Sequence, residues 1–132
     1  MTHEIATKKE PKAKKTHLTP TWDILFGEVV EMLESTTMDK PTIKFVLESM
    51  IARKRMGYDK HGCYLTPYNG RDSLTDAFQE NLDLIAYIRN EISELDYEDE
   101  VAEEELFIAL NFSVISLGKL ARVIMERQRN KR

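Results

Sequence analysis

Cysteine, glycine and proline are scarce in this chain, with one, five and four copies among 132 residues. Cys63 alone closes no internal disulfide, and the lack of a cysteine pair removes the usual thiolate zinc site. A reducing, cytoplasmic location is therefore expected. The few glycines and prolines fall between periodic segments, which disfavours a fold of many short strands joined by turns. No apolar stretch follows the N-terminal lysines, so no signal peptide is expected there.

An uncharged apolar run is missing as well. The most apolar stretch, 106–125, has the length of a membrane span. It holds Asn111, Lys119 and Arg122, however, and charge at the centre of a span is costly in lipid. It is expected to be a core helix without membrane contact. A basic face suited to duplex nucleic acid is also lacking. Residues 1–20 carry five lysines against Glu4 and Glu10, and 126–132 carry four basic groups against Glu126. Each end is thus +3, and the overall −4 leaves −10 for the section between. The basic ends remain able to touch nucleic acid or a host protein as arms.

What is present is helical periodicity. Hydrophobic residues make up 42% of the chain and charged ones 32%, the balance of a soluble globular domain. Residues 1–18 are lysine-rich and poor in apolar side chains, and are expected to be a flexible, disordered tail. Residues 19–132 then form one helical domain. Thr19-Pro20 is a helix start, followed by Trp22, Leu25, Phe26, Val29, Met32 and Leu33 at helical spacing through Glu34. Pro41 opens a second helix, with Ile43, Val46, Leu47, Met50 and Ile51 on one side, predicted to stop near Gly57. Gly62, Pro67 and Asn69-Gly70 mark a loop. Ser73 and Asp76 resemble a capping box for a third helix, which continues through Leu74, Phe78, Leu82, Ile85, Ile88 and Ile92 to about Leu95.

A fourth helix is predicted from about 98 to 128, roughly 45 Å long at 1.5 Å per residue. Phe107, Leu110, Val114, Leu117, Ala121 and Ile124 follow a heptad-like spacing. Other apolar residues lie off that seam, and a helix apolar on several sides needs cover on several sides. The expected architecture is an all-α, four-helix bundle-like domain with a long C-terminal helix. A homodimer burying Val114, Leu117 and their neighbours would supply the missing cover.

Candidate chemistry centres on the third helix. Asp76, Glu80, Asp83 and Tyr87 are spaced four, three and four apart and share one face. Carboxylates grouped in this way suit Mg²⁺, which takes oxygen ligands and is often completed by substrate phosphates. The first helix carries Glu28, Glu31 and Glu34 at a similar spacing, and two such faces turned together would make a bundle-type metal cage. The same face of the third helix lies nearly opposite its apolar arc, which is also where a solvated surface belongs.

The stretch Arg53-Lys54-Arg55, Lys60-His61-Gly62, Asn69-Gly70-Arg71-Asp72 and Asp76 to Leu84 with Tyr87 resembles small phage-encoded helical proteins. These are similar to the all-α nucleoside triphosphate pyrophosphatases, the MazG-like and dimeric dUTPase group. That family pairs an ExxE helix with an ExxD helix to hold Mg²⁺ while a nucleotide is cleaved to monophosphate and pyrophosphate. Glu80-Asn81-Leu82-Asp83 matches ExxD, and Glu28-Val29-Val30-Glu31 can match ExxE. Gln79 and Gly27 stand where the family often has a further glutamate, one charge fewer at each motif.

The resemblance implies a Mg²⁺-dependent nucleotide pyrophosphohydrolase. Glu28, Glu31, Glu80 and Asp83 would be the catalytic metal ligands, and Arg71, Lys54 and Tyr87 would contact the nucleotide. The other expectation is a non-catalytic helical dimer that binds a host protein or nucleic acid.

Overall fold

A computed structural model describes residues 2–131; Met1 of the expected tail and Arg132 of the basic C-terminal end lie outside the described residues. The chain is all-α. The described residues form five helices and no strand: α1 (Thr2–Thr7), α2 (Thr21–Glu34), α3 (Lys40–His61), α4 (Ser73–Glu94) and α5 (Glu100–Asn130). They divide into two compact units, Pro11–Arg71 and Met1–Glu10 with Asp72–Arg132.

The unit Pro11–Arg71 is built on the α2–α3 pair. Asp39 caps α3, its carboxylate accepting from Thr42 N at 3.2 Å and Thr42 Oγ1 at 2.7 Å. The side-chain bond from Thr42 is the main cause that lowers the pKa of Asp39. α3 runs past the stop expected at Gly57 and ends at Gly62, whose left-handed φ of 72° and N–H bond to Tyr58 O close the helix. A mid-helix glycine costs only about 1 kcal/mol against alanine, so it weakens a helix without ending it. Left-handed backbone at Gly62 is what terminates this one.

The other unit is built on α4 and α5, joined by residues 95–99 and packed as an antiparallel hairpin. The cap of α4 is Asp72 rather than Ser73. Its Oδ1 accepts from Leu74 N at 3.0 Å and Thr75 N at 3.2 Å, and its Oδ2 from Thr75 Oγ1 at 2.9 Å. Asp99 caps α5 by accepting from Ala102 N. At 31 residues α5 is about 46 Å long. By length and composition alone it is also long and apolar enough to cross a membrane.

Several described residues of the segment expected as a flexible tail are hydrogen-bonded within their own unit. Thr2–Thr7 is helical and packs on α4. Gln79 Nε2 donates to Ile5 O at 2.8 Å and to Lys8 O at 2.7 Å, and Glu10 Oε2 accepts from Asp72 N at 3.0 Å. Within the other unit, Lys14 N donates to Asn69 O, and Thr16 shares a hydroxyl hydrogen bond with Thr66. These ties run through backbone groups and short polar side chains. A composition poor in apolar residues does not signal them.

Ile124, 7% exposed, is the one buried hydrophobic residue among the described residues. Among the described residues, the buried polar ones, Thr66, Asn69, Thr75, Asn81 and Ser113, each take part in a hydrogen bond. Satisfied polar groups of this kind fix register, while much apolar surface stays in contact with solvent.

Candidate ligand groove and acidic faces

In the Pro11–Arg71 unit, α2 and α3 splay around an open groove of about 520 Å³, lined by Trp22, Phe26, Met50, Ile51, Tyr64 and the polar trio Asp23, Lys54 and Arg55. Trp22 and Phe26 are one turn apart on α2, as are Met50 and Lys54 on α3, so each pair shares a face. Tyr64 reaches the groove because the loop after α3 folds back on α2: Thr21 N donates to Leu65 O at 2.8 Å, satisfying a free N–H of the helix start. The Tyr64 ring packs on Tyr58 with centroids 4.6 Å apart and tilted by 40°.

Lys54 sits at the centre of the charge in this groove. Its ammonium pairs with Asp23 and lies 4.8 Å from the centroid of the Tyr64 ring. The side chain of Lys54 is 27% exposed and that of Asp23 46%, so the pair is partly screened by water. Arg55 adds a second cation, leaving the groove with one net positive charge over three aromatic rings. Its volume lies within the span of roughly 300–1,000 Å³ typical of small-molecule sites.

The residues singled out from the sequence divide between the two units. Glu28 and Glu31 are exposed on α2. Helical geometry puts them on the side opposite Trp22 and Phe26, away from the groove. Glu80, Asp83 and Tyr87 form an exposed line on α4, with Tyr87 69% exposed. None of these four carboxylates makes an ion pair or side-chain hydrogen bond among the described residues. Asp23, Asp39, Asp72 and Asp99, by contrast, are engaged in pairs or caps. Arg71 Nη1 donates to Pro11 O at 2.6 Å.

Glu28 and Glu31 belong to one unit, and Glu80 and Asp83 to the other. Among the described residues no group of three or more His, Cys, Asp or Glu side chains gathers closely enough to hold a metal ion. Each pair by itself offers two carboxylates, a set on which Mg²⁺ relies only when waters and substrate phosphates complete its shell.

The groove was not legible as a site from the sequence. Trp22 reads there as a core residue, and Lys54 as a phosphate contact without its Asp23 and Tyr64 partners. The available signal was the pairing of Trp22 with Phe26 and of Met50 with Lys54 at helical spacing. The contribution of Tyr64 depends on the Thr21–Leu65 bond, which spacing does not reveal. No protein-family model, curated protein or solved structure matches this chain.

Proposed function

We propose that this protein is a helical binding protein whose α2–α3 groove takes a ligand with an aromatic body and an anionic group, a nucleotide being the ligand class of that description. The observation that carries the reading is the meeting of Trp22, Phe26 and Tyr64 with Lys54 and Arg55 around one volume. Aromatic faces stack a base at little cost in specificity, and the two cations meet phosphate oxygens. Lys54 is held in place by Asp23 before a ligand arrives, which lowers the ordering cost of binding. A soluble, cytoplasmic setting belongs to the same reading.

Calorimetric titration with a panel of nucleoside mono-, di- and triphosphates tests this. Saturable binding that weakens in Lys54→Ala supports it. Absence of heat across the panel, together with capture of a defined protein segment or nucleic acid by the same groove, would replace the nucleotide with a macromolecular partner.

A second reading is Mg²⁺-dependent nucleotide pyrophosphohydrolysis by Glu28, Glu31, Glu80 and Asp83. What favours it is that these exposed carboxylates have no protein partner among the described residues. Mg²⁺ would neutralise phosphate charge there, with Arg71, Lys54 and Tyr87 as the nucleotide contacts of that reading. Pyrophosphate release in the presence of Mg²⁺, abolished in Glu80→Gln, is its test.

A further inference from the structure

α5 presents two apolar seams. One faces α4 and includes Leu106, Ser113, Leu117 and Ile124, all buried or half-buried; Leu117, expected in a dimer interface, therefore belongs to the protomer's own hairpin. The other seam lies on the far side of the helix. Val101, Ile108, Phe112 and Ile115 follow one another at steps of seven, four and three residues and are 74%, 46%, 69% and 58% exposed. An exposed apolar stripe of this regularity marks an interaction surface.

The charges bordering the stripe identify its partner. Glu104 and Glu105 flank its N-terminal half, and Lys119 and Arg122 its C-terminal half; all four are exposed and none has an ion-pair partner among the described residues. Their order along the helix is symmetric about Phe112. Glu105 and Lys119 stand equally far from Phe112 on either side, as do Val101 and Val123. When two such helices cross antiparallel at Phe112, Glu105 of each meets Lys119 of the other, and Glu104 lies within reach of Arg122. A parallel arrangement would instead set glutamate against glutamate and lysine against lysine.

We infer that a second copy of this chain covers the stripe, through an isologous, antiparallel α5–α5 interface with Phe112 at the two-fold axis. Self-complementary charge is what a closed two-fold pairing requires, since every contact occurs twice. Like charge at the symmetric positions rejects the parallel register. Each α5 carries its own α4 on the opposite face, so the interface sets two hairpins side by side with the two α5 helices at the centre.

The test uses the full-length protein. Light scattering at micromolar concentration is expected to give a particle of twice 15.4 kDa. Phe112→Glu is expected to give monomers with undiminished helix content by circular dichroism. Glu105→Lys and Lys119→Glu should each weaken the dimer by about tenfold or more, because each substitution spoils two contacts. The double variant should restore it, a rescue that reports pairing rather than general stability. A 15.4 kDa particle for the wild type would overturn the proposal. So would a double variant no tighter than the single ones. Monomers in buffer that float with lipid vesicles would assign the stripe to a bilayer instead.

Discussion

Asn81 Nδ2 donates to the backbone carbonyl of Ser113 at 2.8 Å, with both residues buried between α4 and α5. The two stand equally far along the chain from Tyr97 in the connecting loop, as the register of an antiparallel hairpin requires. Ser113 Oγ turns back to donate to Ala109 O at 2.8 Å, and a lone pair of the Ser113 carbonyl accepts the amide. This bond fixes which turn of α5 lies against which turn of α4, while apolar contacts supply most of the attraction. Asn81→Leu should cost about 1–3 kcal/mol, because it removes the bond and forces a bulkier side chain against α5. Urea unfolding of the variant and the wild type at equal slope measures it.

The cap of α4 gives a pH dependence. Desolvation pushes the Asp72 carboxyl up, but hydrogen bonds from the Thr75 hydroxyl and the Thr75 and Leu74 amides, with the nearby Lys8 charge, outweigh it and lower the pKa. The unfolded chain therefore holds the proton more tightly than the folded one. The stabilisation is fully present above the ordinary aspartate value of about 3.9 and is lost as pH falls below it. Asp72→Ala should cost about 1 kcal/mol at neutral pH and show a smaller loss of Tm on acidification below about pH 4. Thermal unfolding of both proteins across that range is the check.

The N-terminal segment should contribute measurably to stability. Removing residues 1–18 strips Gln79 of two acceptors and Asp72 N of Glu10. A loss of about 1–2 kcal/mol is expected, equivalent to several degrees in Tm. Gln79→Ala should reproduce part of that loss in the full chain and none of it in the truncated one, and a thermal double-mutant comparison reads this directly.

The helical architecture was largely legible in the sequence. Apolar spacing fixed Thr21–Glu34 as a helix, and the acidic start and basic end of α5 matched its dipole. Errors arose where a single backbone conformation decided the outcome. α3 ignored Gly57 and stopped at left-handed Gly62, and the cap of α4 fell on Asp72 because its carboxylate reaches two amides. The bonds from Gln79 to the Ile5 and Lys8 carbonyls leave no trace in the apolar composition of the N-terminal segment. Of the candidate site residues, Lys54 lies in the groove, but its partners Asp23 and Tyr64 needed the fold of the loop after α3. Glu80 and Asp83 share the exposed face that their spacing implied.

Mg²⁺ binding at the acidic faces has its own signature. A cation held by Glu80 and Asp83 in the native state alone would raise Tm by mass action, and Glu80→Gln would remove the rise. Millimolar Mg²⁺ that leaves Tm unchanged would instead assign these carboxylates to solvated surface, where Glu80→Gln changes stability by no more than about 0.5 kcal/mol.

The most direct measurement is the fluorescence of Trp22, the single tryptophan of the chain and a lining residue of the groove. Titrating the full-length protein with a nucleoside triphosphate should shift and quench its emission along a saturable curve. In Tyr64→Ala and Lys54→Ala the curve should move to higher concentration while the emission of the free protein still reports a folded groove. Emission that stays unchanged through millimolar nucleotide, over a panel of bases, would contradict the groove as a nucleotide site.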